Sequence, residues 1–239
     1  MKKLLLILLL PLTVAANPID DKCPQFTPQG APVSKLTATQ YLCKQEYAIH
    51  YRYDTKTAEY VVEHVTKEAI TGTAKRKDDF RPDPALPKEA QSQLADYATA
   101  GNIYDRGHMA PAGNNTQNDQ IMSESFFLSN MIPQVANNNR GIWKQLETWE
   151  RDWASKGGDF YIISGGIYGP NHKVIGNGVG VPDYLYKVIV ERNSGQVQAY
   201  LMPNAPLPVA DLPSVGRTMK LKLALGSPLS LCVLFGTFF

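Results

Sequence analysis

Two periods of apolar spacing run along this chain, and the switches between them mark its elements. From Tyr47 the runs YAIHYRY (47–53) and EYVVEHV (59–65) are rich in β-prone residues and are separated by the turn-like Asp54-Thr55-Lys56-Thr57, which predicts a hairpin. DFYIISGGIYG (159–169), YLYKVIVER (184–192) and QVQAYLMPN (196–204) predict three further strands, the last two joined by a turn at Asn193-Ser194-Gly195. Between these groups the period becomes helical. Ile142, Leu146, Trp149 and Trp153 form one apolar stripe on a helix expected to start near Asn139 and to stop around Gly157-Gly158. The run FFLSNMIPQ (126–134) reads as buried, while 72–101 reads as a long surface loop followed by a short helix. Strands with one or two packed helices indicate an α+β domain with a mixed or antiparallel sheet.

The two ends depart from this pattern. Residues 1–16, MKKLLLILLLPLTVAA, combine a basic start, an apolar run from Leu4 to Leu10 and small residues, the marks of a secretory signal peptide. The run is too short to span a bilayer, which takes roughly 20 apolar residues. Cleavage after Ala16, with Val14 and Ala16 as the recognised positions, would start the mature chain at Asn17 outside the cytoplasm, in periplasm or medium. Residues 17–46 form a lead-in, rich in Pro, Thr, Gln and Asp up to about residue 40, where few packed contacts are expected. The tail 217–239 is apolar, without helical or strand period, and is interrupted by Gly226 and Pro228.

Charge adds little, because loss of Lys2 and Lys3 brings the formal net charge from +2 to zero. Any affinity for a polyanion must therefore come from the placement of positive residues. Export changes the reading of the three cysteines. Cys23 and Cys43 flank a short segment and are expected to pair in an oxidising compartment, leaving Cys232 unpaired.

The candidate chemistry lies in Asp105-Arg106-Gly107-His108 and, some thirty residues on, in Asn139, Glu147 and Arg151 on the expected helix. Hydrolysis of a phosphodiester needs a base for water, a cation on the phosphate oxygens and stabilisation of the leaving oxygen. His108 is the base available near neutral pH, and Arg106 and Arg151 carry planar forks suited to phosphate. Asn139 offers an amide oxygen and Glu147 a carboxylate for metal-bound waters, a sparse oxygen set that suits Mg²⁺, with Mn²⁺ able to substitute, better than zinc. Singly, each residue has an ordinary structural role as core His, helix cap or surface ion pair. Their joint occurrence in this order points to chemistry.

The strings YDRGHMAPAGNN, FFLSNMIPQ and NNNRGIWKQLE, with Glu150-Arg151 close behind, resemble the DNA/RNA non-specific endonucleases of the ββα-metal (His-metal finger) superfamily over about residues 47–204. The resemblance implies a nuclease domain at 47–216 with a ββα-metal finger, the His on a strand and the metal ligand on the following helix. It makes His108 the general base, Asn139 the direct ligand of Mg²⁺, and Glu147 an organiser of metal-bound water. Arg106 and Arg151 would contact phosphate, and Asp105 would help to position the site. Arg76 corresponds to a further phosphate-contacting Arg, with Lys77 and Arg81 as alternatives for that place. His50, His64 and His172 match no catalytic position and read as structural or loop residues. The implied activity is cleavage of DNA and RNA through phosphate contacts, leaving 5′-phosphate ends. A catalytically silent nucleic-acid-binding protein on the same scaffold, or a phosphodiesterase for smaller substrates, are the alternatives.

Overall fold

A computed structural model describes residues 22–220 other than 29, 33 and 102; the expected signal peptide, Cys232 and the tail beyond residue 220 lie outside the described residues. Seven strands pair antiparallel in the spatial order β1 (Thr39–Cys43), β2 (Tyr47–Arg52), β3 (Thr57–Val65), β6 (Phe160–Ile167), β9 (Tyr184–Glu191), β10 (Gln196–Pro203) and β11 (Gly216–Lys220). Between β3 and β6 the chain leaves the sheet and builds a second, two-stranded ladder from β4 (Tyr104–His108) and β5 (Met131–Val135). A third small ladder, β7 (Val174–Ile175) with β8 (Val179–Gly180), sits in the β6–β9 connection. The fold is α+β with an antiparallel core, and the expected hairpin and three later strands are β2–β3, β6, β9 and β10.

Alternation along the strands divides the core. Tyr47, Ile49 and Tyr51 of β2, Val61 and Val65 of β3, and Leu185 and Ile189 of β9 join a cluster that includes Ile142, Trp143 and Leu146 from the helical layer. The intervening residues Ala48, Tyr60, Val62, Tyr186, Val188 and Val190 form a second cluster on the other face. That second face is covered by the lead-in, for Cys23, Phe26 and Ala31 are buried against it. The expectation of few packed contacts there is thus corrected. A Pro-rich segment carries no periodic pattern, yet its few apolar side chains close the sheet, and β1 at its end forms the sheet's edge. Cys23 and Cys43 are disulfide-bonded with a Cα–Cα distance of 5.9 Å, which fastens the cover to the edge strand. The first residues of the expected tail likewise join the sheet, where β11 pairs with β10.

Short α-helical pieces that precede the main helix among the described residues include α1 (Lys67–Ile70), α2 (Leu94–Ala98), α3 (Asp119–Glu124) and α4 (Ala136–Asn138). The periodicity did not reveal α3; it is capped by Asn118, whose side chain accepts from the N–H groups of Gln120 and Ile121. After β5 the chain enters α4 at once and continues through a π-helical turn (Asn139–Trp143) into α5 (Lys144–Ser155). The helix thus begins three residues before Asn139. The π turn also explains why the predicted stripe missed Trp143: the wider turn rotates that indole inward, where it is fully buried beside Ile142 and Leu146. Each of those two aliphatic side chains contributes roughly 1.5–3 kcal/mol by leaving water.

Candidate active site

β4 and β5 run in register from Tyr104↔Val135 to His108↔Met131, so β4 places Asp105 near the end where β5 leads straight into the helix carrying Asn139, and His108 at the other end, with Arg106 between them. Gly107 is needed for this pairing, because a Cβ there would lie 2.1 Å from the Gln134 Oε1 that packs across it. Asparagines fasten the ladder to its surroundings. Asn130 Oδ1 accepts from the Ala110 N–H, and its Nδ2 donates to the Ala110 and Ser125 carbonyls. Asn138 Nδ2 donates to the Pro203 and Ala205 carbonyls, and Asn204 bonds the backbone of Pro133, Val135 and Pro182. Each buried backbone group that would lose its partner here costs about 1–3 kcal/mol, so the β4–β5 ladder is held rigidly in place.

His108 is 9% exposed and lies between two aromatic edges, Phe80 at 5.7 Å and Phe126 at 5.2 Å between ring centroids. Its Nε2 is buried without a hydrogen-bond partner. Burial, with the Arg76 and Arg106 guanidinium groups acting in the same direction, pushes the imidazole down from 6.5 to about 3, so the ring is neutral at neutral pH. The two arginines are placed by the same aromatics: Arg106 lies over the Phe80 ring at 4.2 Å and Arg76 over Phe126 at 5.0 Å.

A cleft of about 530 Å³ opens beside them, with Arg76, Arg106, Asp105, Asn139 and Arg140 on its wall. Of the three basic residues proposed for the upstream phosphate contact, only Arg76 faces this cleft. All three pair with a nearby carboxylate, Arg76 with Asp78, Lys77 with Asp119 and Arg81 with Asp79, so it is the lining of the cleft that separates them, and Arg81 stacks instead over Phe127. Asn139 donates through Nδ2 to Asp105 Oδ2 at 2.8 Å, which fixes the amide plane and leaves Oδ1 as its unengaged end. Arg140 clasps the same carboxylate at 2.8 and 2.6 Å. Although burial raises it, the bonds from Arg140 and Asn139 hold the Asp105 carboxyl below its usual range.

Glu147 and Arg151 do not line that cleft; they stand two and three turns along the helix from Asn139. Arg151 Nη1 donates to Asn114 Oδ1 at 3.4 Å, in the loop that follows His108, and the guanidinium packs so closely on Gly113 that a Cβ there would come within 3.1 Å of it. Asn114 in turn donates through Nδ2 to both oxygens of Glu63 on β3 at 3.3 Å. Beneath them the buried Lys187 of β9 pairs with Glu150 at 3.0 Å and sits 4.8 Å from the centre of the Trp143 ring. Three carboxylates surround this one ammonium. Burial pushes Glu63 up to about 8 and Glu147 up to about 7, with Lys187 opposing the rise and Glu150 adding to it. Burial lowers the Lys187 ammonium, but Glu150, Glu147 and Glu63 more than offset that and raise it.

The remaining histidines are held away from the cleft. His50 is buried against Tyr41 with Nδ1 2.6 Å from Glu59, His64 lies 2.6 Å from Asp159, and His172 contacts the Gly169 carbonyl. Residues to which the sequence pattern assigns no role are Phe80, Glu63 and Lys187, outside the quoted strings, and Asn114, Phe126 and Arg140 within them. Glu63 and Lys187 did leave a trace, as charges in the interior of strand runs rich in apolar residues.

Comparison with known proteins places this arrangement. The profile of the DNA/RNA non-specific endonuclease family matches residues 27–222. The mitochondrial nuclease EXOG of Xenopus laevis is 36% identical over 195 residues, 74% of this chain and 53% of that protein. A nuclease of Nostoc sp. is 32% identical over 201 residues, 78% of this chain and 72% of its own. Among solved structures, a chain from the EndoG/EndoGI complex superposes with a TM-score of 0.70 at 32% identity, over 82% of this chain and 84% of that one. The chain spans about half the length of the EXOG proteins it matches.

Proposed function

This chain belongs to the DNA/RNA non-specific endonuclease family, and on that footing we propose that it is a divalent-metal-dependent endonuclease cutting phosphodiester bonds of DNA and RNA, with His108 as general base. The observation that carries the reading is the setting of His108: a neutral imidazole, fixed by Phe80 and Phe126, with two arginines aimed across it. Nε2 is sealed in without a partner, so Nδ1 is the nitrogen left to take a proton from water. In the free protein this base is weak, and the two guanidinium groups add to that weakness. A phosphodiester anion seated between Arg76 and Arg106 cancels their field, so the substrate itself raises the basicity of the ring where the proton is taken. Arg151, braced by Asn114 and Gly113, supplies a third cation for the phosphate or the leaving oxygen.

The donor set fits a hard divalent cation. Asn139 Oδ1 is oriented by Asp105, and among the described residues no group of three or more His, Cys, Asp or Glu is placed to hold a metal ion. Such a set suits Mg²⁺, or Mn²⁺ in its place, held directly by Asn139, while Glu147, on the same helix but outside the lining of the cleft, would act only through the ion's waters. When bound, the cation supplies positive charge to the phosphate and to the departing oxygen. Contacts made chiefly to phosphate imply cleavage of both sugars with little regard to sequence, and the proposed products carry 5′-phosphates. We also propose export, from the signal-like residues 1–16 and the Cys23–Cys43 disulfide; N-terminal sequencing of secreted or periplasmic protein that fails to start at Asn17 counts against that cleavage site. No helix among the described residues is long and apolar enough to cross a membrane.

The test is release of acid-soluble fragments from plasmid DNA and from RNA by purified protein. The expected result is degradation of both with Mg²⁺, none with EDTA, recovery when Mg²⁺ is restored, and a rate that falls as salt rises. Binding without cleavage would identify a silent binding protein, and cleavage of dinucleotides alone a small-substrate phosphodiesterase.

A further inference from the structure

Arg140 stands in the string NNNRGIWKQLE without an assigned role, its side chain is 70% exposed, and yet it makes a tight ionic contact in the cleft. Its Nε and Nη2 take Asp105 Oδ2 and Oδ1 at 2.8 and 2.6 Å, while the preceding residue, Asn139, bonds the same Oδ2 at 2.8 Å. Two consecutive helical residues thus converge on one carboxylate. In an α-helix their side chains diverge by about 100°. The π turn that starts at Asn139 has more residues per turn, which closes that angle and lets neighbours reach a common partner.

The consequence is electrostatic. An ionised carboxylate beside the Asn139 amide is a better partner for Mg²⁺ or Mn²⁺ than the amide oxygen itself. Arg140 covers both of its oxygens and cancels its charge. We propose that Arg140 is a positioning residue that keeps the Asp105 charge from drawing in the metal, so that the cation at Asn139 stays loosely held while the cleft is spared an uncompensated negative charge facing nucleic acid. This inference rests on the reading of Asn139 as the metal ligand. A loosely held ion leaves its remaining coordination to be completed by the substrate.

The test uses the Arg140→Gln variant of the full chain and two binding measurements made without turnover. The first is Mn²⁺ titration followed by the electron paramagnetic resonance of the free ion, and the second is affinity for a single-stranded oligodeoxynucleotide in EDTA. Arg140→Gln should tighten Mn²⁺ binding by roughly three- to tenfold, as loss of a positive charge next to the site requires. The same change should weaken oligonucleotide binding and reduce its salt slope by about one. A loss of structure would not move the two affinities in opposite directions. Arg140→Lys, which keeps the charge, should bring both back toward the parent. If Asn139→Ala weakens Mn²⁺ binding but Arg140→Gln leaves it unchanged or weaker, this inference is overturned and the metal reading stands. If Mn²⁺ binding does not respond to Asn139→Ala, the metal reading falls and the inference with it.

Discussion

Burying the His108 imidazole beside two guanidinium groups has a cost that depends on pH. The ring titrates at about 3 in the folded protein against 6.5 for an unperturbed histidine. Its folded value is depressed, so its contribution is complete above about pH 6.5 and is lost as pH falls toward 3, where the unfolded chain takes up the proton and the folded one does not. At pH 5 this amounts to about 2 kcal/mol. His108→Gln, which cannot titrate, should therefore lose less thermal stability than the parent between pH 7 and pH 5; parallel melting curves for the two would refute the buried neutral ring. At this scale much of the site was legible in the sequence. DRGH lies on one short strand and Asn139, Glu147 and Arg151 follow on one continuous helical run, as their spacing suggests. The π turn between Asn139 and Glu147 changes the offset, however, and Glu147 and Arg151 stand outside the cleft that Asn139 lines. Arg140, Asn114, Glu63 and Phe80 were not legible, because their roles come from contacts between segments far apart in the chain.

The finger depends on one close approach at the scale of the elements. The Gln134 side chain, on the residue paired with Asp105, is fully buried against the backbone of Gly107, which lies beside His108 on β4. Gly107→Ala would place a methyl group on Gln134, at a cost of about 1–3 kcal/mol. The expected result is a thermal midpoint lower by several degrees and a loss of activity, as β4 moves His108; an unchanged midpoint would show that the two strands are not in such tight contact. Periodicity gave β2, β3, β6, β9, β10 and the long helix because each buries a patterned face. It missed β1 and the buried lead-in, where Thr, Gln and Pro hide the pattern. It also misplaced the start of the helix, since a π turn shifts the apolar stripe by one residue and no composition signals it.

Across the whole molecule, one sheet is closed on both faces and supports the finger from below. The long excursion between β3 and β6 carries nearly all the proposed chemistry, while β3 and β9 reach up into it with Glu63 and Lys187. That β3 should pair with β6 across so long an insertion was not legible, because strand order is set by the tertiary packing of faces rather than by local pattern. The sheet, the disulfide-fastened cover and the asparagine contacts therefore serve one arrangement, in which, on the function proposed above, His108 would take a proton from water while the arginines and a cation hold the phosphate. The most direct test is single-turnover cleavage of DNA by His108→Ala at saturating Mg²⁺, with oligonucleotide affinity measured in EDTA on the same protein. The account predicts a rate lower by roughly 10²–10⁴-fold with affinity largely retained. Cleavage at the parent rate would contradict it.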